Sequence, residues 1–192
     1  MTMPNEKIKQ IDNVVGGDLA GRDIYKVSNY AIDPSRPTSM AKMIEKFKEE
    51  IKNNKVIDKI IDDLQHYSNP APGDTLIGLE AKMEEGGRSD MIPFAKRTKE
   101  LYYKKLTQYQ FSETAQEIHV FLLAEVFTRF HNFIHPLMGS NLSQIQINEI
   151  IQDKIINPIQ DILDENVLRL YSAEINGMLY FLTGNCHIRW IK

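Results

Sequence analysis

Behind Thr38 and Ser39, either of which can cap a helix, the apolar residues Met40, Ile44, Phe47 and Ile51 recur every three or four positions and predict an amphipathic helix. The spacing resumes through Val56, Ile60 and Leu64 beyond the polar joint Asn53-Asn54, so this stretch reads as one helix or two. Turn chemistry from Ser68 to Asp74, with Pro70, Pro72 and Gly73, ends it. A short helix from about Thr75 to Glu84 then stops at Gly86-Gly87, and another runs from about Asp90 to Gln108. Ser112 caps a long central helix, about Glu113 to Met138, closed by Pro136 and Gly139. Ser143 opens a helix that presents Ile145, Ile147, Ile150, Ile151, Ile155 and Ile156 for burial, and Pro158 marks a kink or a short continuation. A last helix, Ala173 to Thr183, meets a left-handed stop at Gly184-Asn185. The tail from Cys186 to Ile191 alternates as a short strand or an extended, docked arm would, and Trp190 is expected to pack.

The N-terminal stretch has a different texture. Between Ile11 and Val27 the β-branched residues Val14, Val15, Ile24 and Val27 flank Gly16, Gly17 and Gly21, which suits short strands joined by tight turns. So small a piece buries no core of its own and must dock on something. Asp33-Pro34-Ser35-Arg36-Pro37 reads as a linker. The expected organisation is therefore residues 1–33, a glycine-rich β appendage and linker, followed by residues 34–192, an α-helical domain with an extended C-terminal arm. The fold class is mainly α: a helical bundle with a small β-hairpin-like N-terminal appendage.

Composition narrows the function classes. With 192 residues, 42% hydrophobic and 26% charged, the chain has the mix of a folded protein of one ordinary domain. A net charge of -3 gives no global basic field, so wholesale binding to nucleic acid or anionic lipid is disfavoured. The single cysteine, Cys186, excludes a disulfide framework and a thiolate-rich zinc site, which points to a reducing, cytoplasmic setting. The polar first residues resemble no secretory signal, and the most apolar stretch, His119 to Met138, is broken by charged and polar residues, so no membrane association is expected.

Candidate chemistry gathers on the central helix. At 100° per residue, Glu117, Thr128, His131, Asn132 and His135 share a polar arc with Glu125 and Arg129 at its edge, opposite Leu122, Val126, Phe130, Phe133 and Leu137. His131 and His135 could join a carboxylate such as Glu117 around a metal, but Asn132 stands where a general-base Glu would be, and no metal site is expected. Arg129 to His135 also resembles the Arg-x(4 to 6)-His pattern of the HEPN ribonucleases, in which arginine offsets phosphate charge and histidine moves a proton. On that alternative reading Arg129, His131 and His135 are the catalytic residues, although Glu125 is placed to pair with Arg129. Cys186 and His187 are adjacent in an extended arm and cannot form a nucleophile-base dyad. The run Lys96, Arg97, Lys99, Lys104 and Lys105, with Tyr102 and Tyr103, admits an indirect contact to nucleic acid. No cofactor is implied.

Two islands carry a family resemblance. Gly17-Asp18-Leu19-Ala20-Gly21-Arg22-Asp23-Ile24 and Gly177-Met178-Leu179-Tyr180-Phe181-Leu182-Thr183-Gly184-Asn185-Cys186-His187-Ile188-Arg189-Trp190 resemble the ends of the small C-terminal domains of prokaryotic ABC-three component conflict systems. The resemblance implies a non-catalytic adaptor or assembly module of bacterial antiviral defence, linking an effector subunit to an ATPase of the structural-maintenance-of-chromosomes (SMC) type, with no family catalytic residues to carry over. Gly17, Asp18, Gly21, Arg22, Asp23 and Trp190 are then the expected partner-binding or oligomerisation residues, with self-association into a homo-oligomer or partner docking by strand addition as the role of the glycine-rich island.

Overall fold

A computed structural model describes residues 38–73, 78–163 and 165–192, all within the unit Pro37–Lys192. The glycine-rich appendage, with Gly17, Asp18, Gly21, Arg22 and Asp23, lies outside the described residues, as does the expected helix start at Thr75. The described residues are mainly helical, with no strand among them. In chain order the helices are α1 (Ser39–Lys52), α2 (Asp62–Ser68), α3 (Leu79–Glu85), α4 (Ile92–Gln108), α5 (Glu113–Arg129), α6 (Gln144–Ile151), α7 (Asn157–Leu163) and α8 (Ser172–Gly184).

The helix starts follow from side-chain caps. Thr38 accepts from the Ala41 amide, Ser112 from Ala115, and Ser143 forms a reciprocal capping box with Gln146. Helix α5 crosses the middle of the bundle and touches α1, α2, α7 and α8, and the most extensive helix pair is α4 with α8. Two glycines explain how closely α8 and the C-terminal arm are seated. A Cβ at Gly177 would overlap the Thr98 carbonyl oxygen and Tyr102 of α4, so only glycine admits that approach. A Cβ at Gly86 would meet the Trp190 side chain in the same way.

Several sequence expectations are corrected. Val56 to Ile60 is not helical: Asn54 turns left-handed at φ 49° after α1, and the Ile57 amide donates to the Phe111 carbonyl oxygen at 2.8 Å. That bond, with Gln116 holding the Lys59 carbonyl and the Ile61 amide, draws the segment extended across the start of α5. Ile51 is consequently 50% exposed instead of buried. Ile145, in the first turn of α6, is 71% exposed, while Ile151, Ile155 and Ile156 are buried as the spacing implies.

The central helical path does reach Leu137, but through a π-helical turn at Phe130–Ile134 and a 3-10 turn at His135–Leu137. The His135 amide donates to the Phe130 carbonyl, five residues back. This wider turn advances the buried face by one residue, so Ile134 is buried where 100° arithmetic selects Phe133, and Phe133 is 43% exposed. A second π turn, Gln152–Ile156, precedes α7 and Pro158.

At the C-terminus the left-handed residue is Cys186, at φ 66°, and not Gly184-Asn185. Its amide donates to the Thr183 carbonyl and that of His187 to the Leu182 carbonyl, the paired bonds of a Schellman stop. Beyond it the tail is an extended arm with Ile188 and Trp190 in the core.

Candidate functional site

Arg129, His131 and His135 sit around the first π turn. The Arg129 Nε donates to Glu125 at 3.1 Å, the pair expected from sequence, and its Nη1 donates to the Lys154 carbonyl oxygen at 3.3 Å. Arg129 thereby reaches across from α5 to the carbonyl four residues before Pro158, which has no amide hydrogen to offer it. The guanidinium therefore ties α5 to the π turn that precedes α7.

His131 is also held. Its Nδ1 lies 2.9 Å from the Phe127 carbonyl oxygen, which can only accept, so Nδ1 carries the proton. Its ring leans on Phe127 at 4.3 Å and stacks against His135 at 5.6 Å between centroids. Glu117, the carboxylate considered as a third metal ligand, pairs with Lys46 of α1 at 3.0 Å. Among the described residues, no three His, Cys, Asp or Glu side chains come together as a metal site, and no helix is long and apolar enough to cross a membrane.

The basic run on α4 divides. Lys96 pairs with Glu80 and Lys104 with Glu100, while Tyr102 is fully buried and Tyr103 lies half in solvent. Only part of the run presents free cationic charge outward, and only one of its two tyrosines is open to stacking.

Trp190 anchors the arm. It is 2% exposed, and its Nε1 donates to the Thr183 hydroxyl at 3.2 Å. The indole meets Phe130 edge-on at 5.1 Å and lies parallel to Tyr180 at 6.2 Å, with the Arg88 guanidinium 4.5 Å over its ring. Arg88 is itself buried and donates to the Asn148 side chain. One indole thus joins the π turn after α5, α8, the α3–α4 turn and, through Arg88, α6. Alongside it, the Arg189 Nη2 donates to both carboxylate oxygens of Glu85, at 3.0 Å each.

Sequence reasoning missed Arg88, and it missed a buried polar cluster at the start of α5. Glu50 of α1 accepts from the Ser112 hydroxyl at 2.8 Å, the Thr114 hydroxyl at 2.7 Å and the Thr114 amide at 3.2 Å. Desolvation raises the Glu50 pKa, but the bonds from Thr114 and Ser112 and the nearby Lys55 outweigh it, so the net shift is downward. A carboxylate at a helix N-terminus is favoured in any case by the peptide dipoles. The partners are 62 and 64 positions apart, and nothing in the linear pattern couples them.

With that geometry in place, a family model describing C-terminal domain 9 of the ABC-three component (ABC-3C) systems matches residues 78–190. The matched span runs from the residue before α3 to Trp190 and so takes in the α4–α8 pair and the seated arm. No curated protein and no solved structure matches the chain.

Proposed function

Because the chain belongs to the C-terminal domain 9 family of the ABC-three component systems, and is on that ground a component of such a defence system, we propose that it works there as a non-catalytic adaptor. It connects an effector subunit to the ATPase of the same system through protein contacts, and it self-associates. The observation that carries this reading is the family match over residues 78–190, which ends on the arm fixed by Trp190. The local structure supports it: Arg129 holds the Lys154 carbonyl and Glu125, and His131 holds the Phe127 carbonyl.

The helical body is the platform in this account and the N-terminal glycine-rich element, with Gly17, Asp18, Gly21, Arg22 and Asp23, is the contact. Trp190 serves that contact indirectly, by keeping the platform closed. The test is co-purification of the tagged full chain with the other proteins of its own system, alongside a variant lacking residues 1–30. The full chain should retain an ATPase or effector subunit, and the truncated chain should lose it while its helical circular dichroism and thermal transition persist. A truncated chain that captures partners and assembles as before overturns the assignment of the contact. Cleavage of RNA by the purified chain, lost in both Arg129→Ala and His135→Ala, overturns the non-catalytic reading.

A further inference from the structure

Lys99 of α4 is a half-buried ammonium that makes no hydrogen bond or ion pair among the described residues. The carboxylate that acts on it, Glu80, is paired with Lys96. Burial draws the Lys99 pKa below its usual value, with Glu80 opposing. The amine stands at the wall of a cleft of about 330 Å³ between α2, α4 and α8, whose lining includes Leu64, Ser68, Thr107, Phe181 and Asn185. This volume is within the ordinary range of small-molecule sites, which combine an apolar floor with a few convergent polar groups.

The position of the amine is built into α8. Gly184 is the last helical residue, yet the left-handed turn falls two residues later at Cys186, so Gly184 is not required by its own backbone angles. A Cβ there would overlap Lys99 Nζ. The missing side chain leaves the space in which the ammonium lies. Leu64 and Phe181 line it with apolar surface, and the Ser68 hydroxyl adds a polar group, while the Thr107 hydroxyl donates to the Tyr103 carbonyl and the Asn185 amide to that of Tyr67.

From this arrangement we infer that the cleft binds a small organic anion, one carboxylate or phosphate on a flat apolar body, with the acid group on Lys99 and the body against Leu64 and Phe181. The site is independent of the adaptor reading, and it would give the domain a ligand-dependent state whether or not that reading holds.

The test is a titration of the isotopically labelled full chain, followed by amide chemical shifts, with phenylacetate and phenyl phosphate and with the neutral phenylacetamide. Saturable shifts confined to the amides of Ser68, Thr107, Asn185 and their neighbours are expected, with the acid bound at least tenfold more tightly than the amide. The preferred acid distinguishes a carboxylate ligand from a phosphate ligand. Lys99→Met should abolish the preference for the acid. Gly184→Ala, which needs only the flexible end of Lys99 to move, should weaken acid binding several-fold in a protein that remains folded. The inference is overturned if neither acid shifts those amides at millimolar concentration, if the amide binds as well as the acids, or if both variants bind unchanged.

Discussion

Helices α1 and α8 are held in the same body by opposite means. Helix α1 is amphipathic: Met40, Ile44 and Phe47 are buried, and the outer face carries Lys46 and Lys48 in exposed pairs with Glu117, Glu45 and Glu165. Such pairs contribute about 0–1 kcal/mol each, so α1 is held by its apolar stripe and by Glu50. Helix α8 has no polar face to speak of, since every residue from Gly177 to Thr183 is buried. Its seating is fixed by shape, through Gly177 against α4 and through the Trp190 arm folded back on it. Where a helix has one wet face, its hydrophobic period identifies the neighbour; where it is enclosed, small residues and the returning chain do so.

The largest effect is expected at the enclosed end. Trp190→Ala removes the indole from Phe130, Tyr180 and Arg88 and leaves Arg88 buried beneath a cavity, which should cost about 3–5 kcal/mol in denaturant unfolding. For a chain of this size that is a fall in Tm of about 6–20 °C, at 2–4 °C per kcal/mol. A loss below about 1 kcal/mol would show that the arm is not what closes α8.

The second effect is one of pH and belongs to the same side. His119 of α5 is buried, faces the Tyr102 hydroxyl at 3.4 Å, and is drawn down to a pKa of about 4 by desolvation. As pH falls below about 6.5 the unfolded chain takes up a proton that the folded chain refuses, so stability declines between about pH 6.5 and 4 and then levels. The full loss is on the order of 3 kcal/mol, at about 1.4 kcal/mol per pKa unit. The slope in that window should vanish in His119→Leu; a slope that persists assigns it to other groups.

Gly177→Ala comes next. The added methyl meets backbone on α4, which cannot swing aside as a side chain would, and the helices must part at a cost of about 1–3 kcal/mol. Gly184→Ala meets only the mobile end of Lys99 and should be nearly neutral, so the two substitutions measured together separate helix seating from general glycine effects.

On the α1 side the corresponding change is Glu50→Gln, which puts a donor where Ser112 and Thr114 already donate and should cost about 1–3 kcal/mol. The Glu50 pKa is lowered in the folded state, so its stabilising effect is present above the unfolded carboxylate pKa and is lost as pH falls through the folded value. Acid titration of stability should therefore show a lower window, beneath that of His119, which Glu50→Gln removes.

These contrasts also explain what the amino-acid pattern conveys. Helix starts at Thr38, Ser112 and Ser143 are legible because a cap is a local event between residues three apart. The burial of Trp190 and the family of the C-terminal island are legible from the same short stretch. A π turn is not, because it differs from an α turn by one residue and shows up only as Ile134 buried in place of Phe133. Nor is the purpose of Gly184, which is read as a helix stop until Lys99 is seen beside it. Of the candidate site residues, Arg129 and Glu125 are paired as their spacing implies, but Arg129 also reaches the Lys154 carbonyl 25 positions on, four residues before Pro158, and so depends on a distant partner that spacing does not reveal.

That dependence gives the smallest effect and the sharpest discrimination. If Arg129 stands in for the amide that Pro158 lacks, Arg129→Ala should cost about 1 kcal/mol, since a charged donor to a carbonyl of this exposure is worth little more. Pro158→Ala supplies an amide hydrogen to the same carbonyl, and in that background the cost of Arg129→Ala should shrink. The two residues should therefore couple in a double-mutant cycle by about 0.5 kcal/mol or more, with the double variant more stable than additivity allows. A guanidinium whose business is with a phosphate would show no coupling to a proline on another helix. Additive losses would return Arg129 to the candidates for chemistry, whereas coupling places it in the frame of the fold, as a brace between α5 and α7.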